Sequence, residues 1–194
     1  TTITVSEIEK QKWFHKNPLF TERSFDYIRS LEREGKNPLI IWPEHCLIGS
    51  QGHSVHPVLF NSFRQWEHLN NKDVNYVLKG SNPFTEHYSA VLAEIPDTSD
   101  ASTLLNVGMI NTLKECDIVL VAGEALSHCV KSTLTDIFNN IGDEHISKFV
   151  FLKDCSSSGP FIPGGLNDPQ ISELFLNEMQ KKGMKVIESN HFGL

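Results

Sequence analysis

Short apolar runs alternate along this chain with longer stretches in which apolar residues recur every three to four positions. The runs "VNYVLKG" at 74–80, "DIVLVAGE" at 117–124, "KFVFLKD" at 148–154 and "KVIES" at 185–189 predict strands, with the shorter "LIIW" at 39–42 a fifth. Runs that are apolar at nearly every position belong to strands covered on both faces. Helical spacing marks 24–34, 59–69, 103–115, 125–140 and 169–182, the last closed by Gly183. Strand and helix in alternation predict an α/β fold in three layers, α/β/α, around a mainly parallel sheet with right-handed crossovers. The 194 residues suffice for one sizeable core and not for two, so 1–194 is expected to be a single domain.

Charge and composition narrow the partners. A formal net charge of -7, with no cluster among the 17 Lys and Arg residues, argues against a nucleic-acid partner, whose affinity comes from such clusters. No run of about 18 apolar residues occurs, so no membrane span is expected. The opening "TTITVSEIEK" has no Met and lacks the basic-then-apolar order of a signal peptide, and the sequence is expected to begin inside a longer chain. Cys46, Cys116, Cys129 and Cys155 are widely spaced with no CxxC pair. Reduced thiols in a cytoplasmic setting are the expectation.

Candidate chemistry collects where strands end, the edge at which open α/β sheets bind ligands. The Gly/Pro/Ser loop at 154–169 lies at such an end. So does "VLVAGEALSHCVKSTLTDIF", which runs from an apolar strand through Gly123 into a helix with Cys129 in its first turns. There the helix dipole and nearby N–H groups stabilise a thiolate, the setting of a nucleophile. The same pattern suits a packing role: Leu126, Cys129, Thr133 and Ile137 share one helical stripe, and a buried Cys is commonly a small hydrophobe. Lys79 ends another apolar run just before Gly80, which puts an ammonium at the same edge. A neighbouring cation favours thiolate and can hold developing negative charge. The segment "IIWPEHCLIGSQGHSVHP" at 40–57 holds His45, His53 and His56 in a stretch too rich in Gly and Ser to be one helix. These histidines could collect a metal, hold a substrate or cap a loop.

Three of these segments together resemble the cysteine hydrolases that group nicotinamidases with isochorismatase-like enzymes. "VAGEALSHCVKSTLTDI" looks like that family's nucleophile segment, "YVLKGSNPFTEHYSA" is similar to its lysine segment, and "IWPEHCLIGSQGH" resembles the WPxHC segment of its larger nicotinamidase-like members. The resemblance implies Cys129 as nucleophile, Lys79 as its activating cation, and a cis peptide at Glu124–Ala125 that turns N–H groups, including those of Ala125 and Cys129, towards an oxyanion. It implies His45 as one ligand of a divalent metal, Zn²⁺ by default. It also implies a small carboxamide substrate, nicotinamide first, of NAD metabolism. Trp42, Phe84, Tyr88 and Phe161 are available as aromatic walls, with Trp42 and Tyr88 the expected substrate contacts. His53 and His56 have no counterpart in the family pattern. A homo-oligomer is the expected assembly.

The sequence also departs from the family. No apolar-Asp-x-x-x-Asp-Phe segment supplies the Asp base, and no Asp-x-His pair completes a metal site. The first two strands of the family's sheet are therefore expected to be missing from these residues. Two other functions stay open: hydrolysis of another amide or carbamoyl substrate with no use for the metal at His45, and a non-catalytic binding module that lacks the base.

Overall fold

The computed structural model describes residues 1–159 and 168–193. They fall into two compact units, Thr1–Leu78 and Lys79–Leu194.

In the first unit β1 (Thr2–Ile3) leads into α1 (Val5–Glu9), whose capping box joins Thr4 and Glu7. Then follow α2 (Thr21–Arg33), β2 (Leu39–Ile40) and α3 (Pro57–Asn70). Ile3, Ile8 and Ile28 form a small core with Phe25 and Leu39 packed on it. The strand expected at 39–42 is real but shorter, and it is antiparallel to β1, with Thr2 opposite Ile40, rather than part of a parallel sheet. Pro43, three residues beyond Ile40, has no N–H to give a ladder. The strand expected at 74–80 does not form. A strand needs a neighbour for its N–H and C=O groups, and Leu78, 74% exposed, shows that this apolar run is not buried either.

The second unit holds α4 (Val107–Glu115), β3 (Val119–Gly123), α5 (Lys131–Ile141), β4 (Phe149–Ser156), α6 (Asp168–Lys181) and β5 (Lys185–Ile187). The strands lie in the order β3-β4-β5, all parallel, with Val119 beside Phe149 and Val150 beside Lys185. This is the expected α/β arrangement, with a helix carrying each crossover. In central β4 the consecutive residues Phe149, Val150 and Phe151 are all buried. Successive side chains point to opposite faces, so both faces of β4 are covered, as its unbroken apolar run predicts. Phe149 and Phe151 pack with Leu134, Ile137 and Phe138 of α5 and with Phe175 of α6. Gly183, at φ +111°, turns the chain from α6 into β5. Among the described residues β3 pairs on one side only, and its Leu120 is 46% exposed. No described helix is long and apolar enough to cross a membrane.

Candidate active site

At the carboxyl end of β3 the chain passes through Gly123, at φ +126°, a conformation open to glycine and strained for other residues. The next bond, Glu124–Ala125, is a non-proline cis peptide, the isomer implied by the family resemblance. Leu126–Val130 then form one π turn, closed by the Val130 N–H donating to the Ala125 carbonyl at 3.1 Å, before α5 begins. The continuous α-helix expected over 125–140 thus begins wider than predicted, and Cys129 sits in the wide turn. Such turns are frequent at functional sites.

Lys79 reaches this turn from the start of the unit. Its Nζ donates to the His87 carbonyl at 2.8 Å and to Cys129 Sγ at 3.4 Å. Two further bonds hold the connecting loop: the Gly80 N–H donates to His87 Nδ1 at 3.2 Å, and the Ala90 N–H donates to Thr133 Oγ1 at 3.0 Å. Thr133 is one turn beyond Cys129 on the same helical face, so the loop that carries the lysine is tied beside the thiol. Lys79, Glu124, Cys129 and Thr133 line a groove of about 340 Å³ with an apolar wall that includes Met109 and Val121. The stripe of Leu126, Cys129, Thr133 and Ile137 therefore serves both readings of the pattern. Leu126 and Ile137 are buried, and Cys129, half-buried, opens to the groove.

His87 was not marked by sequence reasoning, because it lies in a loop without periodicity; its only signal is its place eight residues after the lysine. Partial burial pushes its imidazole below the ordinary value of 6.5, the Lys79 charge adds to this, and Asp100 opposes it. The neutral ring leaves Nδ1 free to accept the Gly80 N–H. Because the folded value is depressed, the unfolded chain binds the extra proton first. This group's contribution is present above about pH 6.5 and is lost as pH falls towards the lower folded value. Thermal melts from pH 7.5 to 5 should therefore show a steeper decline for the natural protein than for His87→Asn, which keeps an acceptor without the titration. Parallel declines would remove His87 from the account.

The remaining expected site residues fall elsewhere. Tyr88 is buried, with its hydroxyl donating to Glu86 at 3.2 Å and its ring 6.2 Å from that of His128. It is not among the described residues that line the groove. Trp42 and His45 belong to the first unit, their rings edge to face at 6.5 Å. His56 caps α3, its Nδ1 accepting the Val58 N–H at 3.4 Å, and His53 is exposed. Phe84 is half-buried, and Phe161 lies outside the described residues. His45 is exposed, and its Nδ1 is 2.7 Å from the Pro43 carbonyl. That contact requires the proton on Nδ1 and leaves the Nε2 lone pair for a cation. Yet no group of three His, Cys, Asp or Glu able to hold a metal occurs among the described residues. The described residues do not complete a metal site around His45.

No protein-family model matches the sequence. Among characterised proteins, the nicotinamidase of Escherichia coli (strain K12) is 30% identical over 102 residues, which is 51% of this chain and 40% of that enzyme. The chain thus spans about two fifths of the length of the curated relative it matches. Among solved structures, the nicotinamidase/pyrazinamidase PncA of Bacillus subtilis is 17% identical, with a TM-score of 0.50 over 87% of this chain and 86% of that one. The yeast nicotinamidase Pnc1p is 20% identical, with a TM-score of 0.49 over 81% and 64%. The Bacillus structure shows that the α/β fold with its parallel sheet is shared. These matches are to the group of enzymes that the three sequence motifs resemble.

Proposed function

We propose that the protein is a cysteine-dependent amide hydrolase that converts nicotinamide to nicotinate and ammonia through a thioester on Cys129. The observation that carries this reading is the 3.4 Å approach of Lys79 Nζ to Cys129 Sγ in a groove at the carboxyl end of β3. The similarity to the Escherichia coli nicotinamidase supports the choice of amide. The form that attacks a carboxamide carbon is the thiolate, and the Lys79 ammonium lies within contact of the sulfur that would carry that charge. The backbone N–H groups of Ala125 and Cys129 receive the oxyanion that forms, the C–N bond breaks as the amine takes up a proton, and water releases the acid from the thioester. The resemblance assigns that proton transfer to an Asp with no counterpart in this sequence. Tyr88 is the aromatic side chain of the second unit proposed for the substrate ring. The four free thiols support a reducing, cytoplasmic setting.

His45 is proposed as one ligand of a divalent ion, with zinc the default for an imidazole donor. Because the described residues supply no second and third ligand, no step is assigned to the metal. The test is ammonia release from nicotinamide, with metal content measured on the same samples. The reading expects Cys129-dependent release, and expects His45→Ala to remove whatever metal is bound in about one-to-one ratio, since a site that loses one of three protein ligands competes poorly with water. Turnover of other carboxamides or carbamoyl compounds, with nicotinamide untouched, would move the assignment to that class. Metal retained in full by His45→Ala would remove the histidine from the site.

A further inference from the structure

We infer that the serine run Ser156, Ser157 and Ser158 is a positioning element for the proposed reaction. It holds the backbone from Gly123 to Ser127, the segment that presents N–H groups to the oxyanion, and Glu124 paired with Ser157 is its central rung. This rests on the reading of Cys129 as nucleophile.

The β3–β4 ladder shifts register between Val121 and Gly123, so regular strand pairing gives out just where the segment begins. Beyond that point the β4 exit takes over residue by residue. The Ser156 hydroxyl donates to the Gly123 carbonyl. The Ser157 N–H and hydroxyl both donate to Glu124 Oε2, at 3.0 and 2.7 Å. The Ser157 carbonyl accepts the Leu126 N–H at 2.8 Å, and the Gly159 N–H donates to Ser127 Oγ at 2.9 Å. The run is anchored from behind as well, because Ser158 Oγ lies 2.7 Å from Ser172 Oγ on α6, a side chain that is almost wholly buried.

Glu124 itself is exposed and packs into no core, so what its carboxylate holds is the turn between β3 and Cys129. A charged acceptor taking two donors from one residue is a strong and directional tie. Neither Lys79 nor Cys129 bonds to the serine run. The thiol's activation and the placing of the oxyanion donors are therefore separable, and that separation is what an experiment can read.

The probe is pyridine-3-carbaldehyde, the aldehyde counterpart of nicotinamide. Its carbonyl carbon forms a bond to the Cys129 sulfur while the carbonyl π pair moves to oxygen, giving a reversible tetrahedral adduct whose oxygen stands where the amide oxyanion would. Iodoacetamide alkylation, which forms an S–C bond and expels iodide without any oxyanion, reports the thiol alone. Both are measured on the natural protein and on Ser157→Ala, Glu124→Ala and Glu124→Gln. Ser157→Ala and Glu124→Ala should weaken aldehyde capture by about tenfold to a hundredfold, the scale of a displaced oxyanion donor. In Ser157→Ala, which leaves the groove lining intact, the alkylation rate should stay within about twofold, because the lysine contact is untouched. Glu124→Gln should restore most of the capture, since its amide oxygen still accepts from Ser157. Unchanged capture in the alanine variants overturns the inference and leaves the nucleophile reading standing. A parallel loss of alkylation in Ser157→Ala also overturns it, by showing that the run holds the thiol rather than the donors. If the natural protein captures no aldehyde at Cys129, the nucleophile reading falls and the inference with it.

Discussion

Cys129→Ala should lower ammonia release from nicotinamide by roughly ten-thousandfold to a millionfold, the scale reached when a covalent nucleophile is removed from an otherwise intact site. In the natural protein the same residue should be the first thiol taken by iodoacetamide near neutral pH. Cys46 and Cys155 are exposed whereas Cys129 is half-buried, so labelling governed by access alone would start at those two. A lead for Cys129 would have to come from chemistry. Two unit charges about 4 Å apart attract by about 1 kcal/mol in water and about 4 kcal/mol at the dielectric typical of a protein surface, and Lys79 approaches Sγ within that range. Lys79→Ala should accordingly slow Cys129 labelling on the order of tenfold while leaving Cys46 and Cys155 unchanged. Peptide mapping of the labelled protein reads both results. Labelling led by Cys46, or a Cys129 rate indifferent to the lysine, would sink the pair as a catalytic unit.

The second large effect concerns the core. Phe149→Ala should destabilise the protein by about 3 to 5 kcal/mol, the usual cost of emptying a buried phenylalanine site. Phe149 is fully buried and meets Phe138 edge to face, with ring centroids 5.1 Å apart. Collapse around the vacancy is restricted, because the site lies between central β4 and α5. Against a total stability of about 5 to 15 kcal/mol, that loss brings the fold close to its unfolding limit. Urea titration should show a much lower midpoint with an unchanged slope. Ile118→Ala provides the contrast: the side chain is 56% exposed just before β3, which among the described residues pairs on one side only, and its removal should cost about 0.5 kcal/mol or less. An equal loss at both positions would mean that the β3 flank is covered in solution.

The runs at 117–124, 148–154 and 185–189 were legible as strands because burial on two faces leaves an unbroken apolar signature. The run at 74–80 carries the same signature and forms no strand. Composition reports what side chains prefer, whereas a strand exists only when another strand accepts its backbone groups. For β2 the difficulty was the partner: Thr2–Ile3 is too short to leave any periodicity, so nothing marked an antiparallel neighbour for 39–42. In the candidate site, Cys129 could be found because it follows the end of a strand; Lys79 was marked by the same reasoning although its apolar run forms no strand, and the loop from Lys79 to Ala90 brings it to the thiol instead. His87 could not be found that way, since its role rests on a backbone carbonyl and a ring nitrogen in an irregular loop. The π turn was equally invisible. It widens the helix by one residue in a single turn, while the apolar stripe through Leu126, Cys129 and Thr133 reads the same for either geometry.

Lys79 and Cys129 are 50 residues apart along the chain. Bringing such distant points together costs on the order of 3 to 4 kcal/mol of chain entropy, whereas β3, α5, β4, α6 and β5 each pack beside a sequence neighbour. The helices and strands around the thiol can therefore assemble before the lysine returns to it. Synthesis delivers Lys79 first, and its ammonium can reach the nearby His87 carbonyl, but the thiol is out of reach until the later segment has folded. Through that interval the lysine–cysteine contact does not exist, and nothing near Cys129 would set it apart from the other three thiols. On the proposed reading, reactivity would appear together with the finished structure, and the contact proposed to arm the thiol would also set when in the life of the chain it becomes armed.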